Sequence, residues 1–75
     1  MMYLQNSDTK CLVKIISIEG GESITMRLSQ MGITPGAFAQ VIRKAPFGWP
    51  VLIEINGLEI ALSSKIASKV MVEVA

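Results

Sequence analysis

Glu54 and Glu59 are the carboxylates whose placement most resembles a working pair, since they flank the dipeptide Asn56-Gly57. Two carboxylates on either side of a bond can divide general-acid and general-base work. At a hairpin turn, however, solvated strand ends account for them fully. No histidine occurs in the chain, so neither a Ser/His/Asp nor a Cys/His arrangement can be assembled. Gly20-Gly21 lacks the lysine and hydroxyl residue that a phosphate-cradling loop needs. One cysteine, Cys11, and six scattered acids offer no ligand spacing that would close a zinc or iron site within one chain. The five methionines read as a start-codon region, Met1 and Met2, and as core filling rather than as soft-metal ligands, because Met is an adaptable gap-filler. Cys11 itself reads as a small buried hydrophobe, and being alone it forms no internal disulfide. Catalytic residues, cofactors and metal ligands are therefore not expected, and the chain reads as a non-enzyme.

Recognition of a partner is the chemistry that remains. Phe47 and Trp49 stand in the run Ala45-Pro46-Phe47-Gly48-Trp49-Pro50, directly after Arg43 and Lys44. Aromatic and basic side chains on a projecting loop are the material of interface hot spots, so these four form the candidate partner-binding set. The structural alternative is that Trp49 closes an open end of the fold and Phe47 covers the helix. Arg27 either projects as a contact residue or ties its helix to a carboxylate or carbonyl, and the second reading is preferred. Binding of nucleic acid is not expected, because Glu54, Glu59 and Glu73 interleave with the bases and the net charge is only +1.

The elements that must hold these residues follow from periodicity. Ile24, Leu28 and Met31 recur on one face of a helix over about 22–31, with Glu22 in the first turn, where its charge suits the helix dipole. Gly32 and Ile33 read as a Schellman stop, and Thr34-Pro35-Gly36-Ala37 as a type II turn. Residues 1–9 read as a short docking segment and a loop. Lys10 to Ile18 is a dense β-branched run, too short for a helix before Gly20-Gly21, and reads as a buried strand. Either Leu12, Ile16 and Ile18 or Val13 and Ile15 face inward, and a bulge near Ile15-Ile16 would let both sets contribute. Further strands are expected over Ala37–Lys44, Val51–Ile55, Leu58–Leu62 and Val70–Val74. Asn56-Gly57 joins the middle two as a type I′ hairpin. Ser63-Ser64 caps a short helical turn over about 64–68. Mainly β, with five short strands, one inserted helix and one helical turn, the chain is expected to form a small antiparallel SH3-like barrel.

Seventy-five residues make one domain, 1–75, which can bury only about 60 to 65 per cent of its unfolded surface. Half the residues are hydrophobic and few are aromatic, so Ile, Val, Leu and Met must build the core. The longest apolar runs fall far short of the ~20 residues that cross a bilayer. The first ten residues lack the pattern of a secretion signal, so the expected location is cytoplasmic, without direct membrane insertion.

The order ISIEGG, RLSQMGITPG, APFGWP, INGLEIAL and KIASKVMVEV resembles the ferrous-iron transport protein A family, FeoA, from about Lys10 to Val74. Gly20, Leu28, Gly32, Pro35, Gly36, Pro46, Pro50 and Gly57 match its framework positions. The resemblance implies an SH3-like barrel without enzymatic activity. It also implies a cytoplasmic accessory of bacterial ferrous iron uptake that acts on FeoB, a permease with a cytosolic guanine-nucleotide-binding domain. Two positions depart from the family pattern: Ser63 stands where a base is common, and Ile66-Ala67 where Glu-Ala is common. A metal-responsive SH3-like domain that binds a divalent ion, for instance between two chains, is the competing class. A homo-oligomer is compatible with either reading.

Overall fold

A computed structural model describes residues 1–44 and 50–75. Their order is β1 (Met2–Tyr3), a 3-10 turn (Leu4–Asn6), β2 (Leu12–Ile18), α1 (Glu22–Gln30), β3 (Phe38–Lys44), β4 (Val51–Ile55), β5 (Leu58–Leu62), α2 (Ser64–Ala67) and β6 (Val70–Val74). The six strands form one antiparallel sheet in the order β1-β6-β2-β3-β4-β5, curled around a single core. Five strands were expected. The sixth is Met2–Tyr3, which pairs with Met71 and Val72 and carries Leu4 into the core, so the N-terminal segment docks as an edge strand.

Each long strand buries alternate residues, as the period of a pleated sheet requires. Val13 and Ile15 on β2, Ala39 and Val41 on β3, and Val51, Ile53 and Ile55 on β4 are all buried. On β2 the two candidate facings are reconciled by a bulge. Ile15 pairs with Val72 and Ser17 with Met71, which leaves Ile16 as the extra residue. Past it the facing reverses, and Ile18 packs against the core while Leu12 stays exposed. The strand opens at Leu12 rather than Lys10, because Lys10 has a φ of 63° and cannot continue an extended ladder.

Helix α1 stops where its sequence says it should. Ile33 N–H donates to Leu28 O at 2.9 Å and Gly32 N–H to Ser29 O at 3.0 Å, the paired bonds of a Schellman motif, with Gly32 at φ 88°. The next turn closes with Ala37 N–H to Thr34 O at 3.0 Å. It is clamped on β2 by Gly36 N–H to Ile15 O and Ile15 N–H to Ala37 O, both 2.8 Å. Asn56 and Gly57 both have positive φ, as the hairpin between β4 and β5 demands. Ser63 caps α2 by accepting from Ile66 N–H at 3.2 Å.

Two assignments to the core are corrected. The methionines read as core filling are not buried: Met26 and Met31 are exposed and Met71 is half-buried, because β-branched and Leu side chains fill the interior. Cys11 is half-buried and packs at the margin of the core, one residue before the ladder of β2 begins.

Candidate functional site

Helix α1 spans only nine residues. Leu28 alone is buried there. Ile24 is half-buried, and Met31 is 37% exposed. Across from them lie the end of β5 and the short helix α2, contributing Ala61, Leu62, Ser63 and Ile66. Between the two sides runs an open cleft of about 190 Å³, floored by Leu28 and Leu62 and walled by Ile24 and Ile66. Ile24, Leu28 and Met31 do share one apolar face of the helix, as expected, and that face is buried only at its centre, Leu28.

Arg27 stands on the helix side of this cleft and is exposed. The preferred reading tied it to a carboxylate or carbonyl. Instead it makes no hydrogen bond or ion pair among the described residues, since the side chains facing it are those of Ala61, Leu62, Ser63 and Ile66. The two departures from the family pattern meet at this place, Ser63 on the rim and Ile66 on the wall. Sequence reasoning named both as departures but did not bring them together. The available signal was Ile66 itself, an apolar residue in a helical turn whose other inward position is already taken by the buried Ala67.

The expected partner-binding residues divide. In β3 a bulge between Val41 and Arg43 reverses the facing, so Arg43 pairs with Leu52 on the outside of the sheet and is exposed. Lys44 pairs with Val51 and is half-buried, and its Nζ donates to Ser7 O at 2.7 Å. Ser7, itself fully buried, donates through Oγ to Leu4 O at 2.6 Å. The ammonium of Lys44 therefore braces the N-terminal segment and is committed within the fold. Phe47 and Trp49 lie outside the described residues.

Glu54 and Glu59 do face each other across the hairpin, both exposed, on the outer side of the sheet. They line neither the cleft between α1 and α2 nor the shallow groove beside Ile18, Glu22 and Met26. Among the described residues no three His, Cys, Asp or Glu side chains come together in a way that could hold a metal ion. Among the described residues no helix is long and apolar enough to cross a membrane.

The family model described as the FeoA domain matches residues 2–74, nearly the whole chain. The chain belongs to the FeoA family. A solved iron uptake regulatory protein, FeoA, is 28% identical with a TM-score of 0.88, over 99% of this chain and 96% of that one. The FeoA-like protein of Clostridium acetobutylicum is 29% identical with a TM-score of 0.84, over 97% of this chain and 85% of its own. The zinc-complexed FeoA of Stenotrophomonas maltophilia, described as a procaryotic SH3 domain protein, matches at TM-score 0.81 and 23% identity, over 97% and 91% of the two chains. It identifies the fold of this FeoA-family chain as SH3-like. No curated protein matches the chain. FeoA proteins are associated with ferrous iron transport, and this chain shares that association through its family.

Proposed function

We propose that this chain is a non-enzymatic accessory of ferrous iron uptake that binds the cytosolic part of a FeoB-like transporter and modulates it through protein contacts. The observation that carries the reading is the FeoA match over residues 2–74. The resemblance to this family implies a FeoB-like partner. The cleft between α1 and α2 supports the reading, because a half-open apolar trough with a cationic rim suits a partner's side chain better than a reaction. The contact surface takes in this cleft, Arg43 on the outer face of β3, and the aromatics Phe47 and Trp49. Lys44 contributes indirectly by holding the N-terminal segment against β3.

Capture of the transporter's purified cytosolic domain by the full chain tests this. Ile66→Glu places a charge in the cleft wall, and Phe47→Ala with Trp49→Ala removes the two aromatics. Each variant should weaken capture while retaining a cooperative melt. Undiminished capture by both overturns the assigned surface, and no capture by the wild-type chain overturns the reading. Calorimetry with ferrous iron and with zinc separates the adaptor from an ion-responsive domain: an adaptor gives no saturable heat.

A further inference from the structure

The polar groups of the cleft are unbalanced. Its walls and floor are apolar, and the side chains that line it include one guanidinium, Arg27, one hydroxyl, Ser63, and no carboxylate. Arg27 carries five N–H donors and no acceptor. Ser63 Oγ already accepts from Ile66 N–H, which occupies one of its two lone pairs and leaves its O–H free to donate. Both side chains therefore present donors to whatever enters. The nearest acid on the helix, Glu22, belongs to the opposite groove, beside Ile18, Thr25 and Met26, so it does not neutralise Arg27 from within the cleft.

From this complementarity we propose that the cleft takes an acidic-apolar segment of a protein partner: one Leu- or Phe-sized side chain inserted over Leu28 and Leu62, with a neighbouring Asp or Glu carboxylate held by Arg27 and Ser63. The volume of about 190 Å³ suits a single large apolar side chain rather than a whole helix or strand. A carboxylate is the acceptor best matched to a guanidinium fork, since it takes two parallel N–H···O bonds. Ile24 and Ile66, half-buried on facing walls, flank the inserted side chain, and Met31 on the rim adapts to its shape. The proposal rests on the reading of the chain as a protein-binding accessory, and it adds the chemistry of the bound segment.

Two measurements separate the inference from the reading beneath it. In the first, the isotope-labelled full chain is titrated with the peptide acetyl-Gly-Leu-Glu-Leu-Gly-amide and with its Gln counterpart, followed by amide chemical shifts. Shifts confined to the segments 24–31 and 61–66, with the Glu peptide binding at least several-fold more tightly than the Gln peptide, are expected. Arg27→Glu should abolish that preference, and Arg27→Lys should retain part of it. Because Arg27 is exposed, its variants are expected to melt as the wild type does. Equal affinity for the two peptides, shifts centred elsewhere, or no shifts at millimolar peptide overturns the proposal. In the second, the cytosolic domain of a FeoB-like transporter is offered to the wild type and to Arg27→Glu. Binding of both alike, with no peptide discrimination, removes this inference alone. Peptide discrimination without any transporter binding sustains the cleft chemistry and removes the transporter reading alone.

Discussion

Gly32 and Asn56 meet across the molecule: a Cβ built on Gly32 would lie 3.2 Å from the side-chain amide nitrogen of Asn56. The stop of α1 and the turn of the β4-β5 hairpin are thus packed against each other. Gly32 has two separate reasons to lack a side chain, its φ of 88° and this neighbour. Gly32→Ala should destabilise the fold by more than roughly 1 kcal/mol. That corresponds to a fall of about 4–8 °C or more in the melting midpoint of a domain this size. An unchanged midpoint in a thermal melt contradicts the role given to the turn.

Ile53 and Met26 offer a contrast in burial on comparable apolar side chains. Ile53 is fully buried at the centre of β4, whereas Met26 is 62% exposed on α1. Ile53→Ala should cost about 2–5 kcal/mol. A chain of this length has a total stability of only about 4–11 kcal/mol, so the variant should be close to unfolded. Met26→Ala should stay within about 0.5 kcal/mol. Urea denaturation of both variants checks the pair, and similar midpoints refute the core assignment.

The sequence foretold the elements because their signals are local. Gly32-Ile33, Asn56-Gly57 and Ser63 each fix the backbone within three or four residues, and each occurs as expected. The first strand escaped notice because two residues, Met2 and Tyr3, are too few to show a period, and only the free edge of β6 makes them a strand. The cleft was illegible for a related reason. Ile24 and Met31 have the spacing of a buried face, but burial depends on what lies opposite, and Ala61 and Ser63 are too small to fill the space. Lys44 shows the same limit, since only folding brings Ser7 to its ammonium.

Glu54 and Glu59 are directly opposed in the hairpin, and no hydrogen bond or ion pair to a cation relieves either one among the described residues. Like charges in register on neighbouring strands are destabilising by roughly 0.2–1 kcal/mol. Glu59→Lys turns repulsion into attraction at an exposed position with no packing to disturb. The variant should melt a few degrees higher at low salt, by about 4–8 °C per kcal/mol. Molar salt should shrink the gain, since screening acts on exposed charges. A gain that is equal at both salt concentrations shows that the carboxylate pair is not its source.

Tyr3 Oη donates to Glu19 Oε2 at 2.8 Å, joining the two-residue edge strand to the end of β2. That hydrogen bond, and then the negative charge of Glu19, raise the Tyr3 phenol above its ordinary value near 10. A phenol whose folded-state pKa is raised contributes stability that is fully present below the unfolded value. That contribution disappears as pH rises through the folded value, because the unfolded chain releases its proton first. The chain should therefore lose stability above about pH 10, and Tyr3→Phe should remove the part of that loss due to this residue. Tyr3 is the only tyrosine in the chain, so its ionisation can be followed alone by ultraviolet absorbance. The native midpoint should lie above that of the denatured chain, and Glu19→Gln should lower it. Coincident native and denatured midpoints would show that the edge strand does not hold this contact in solution.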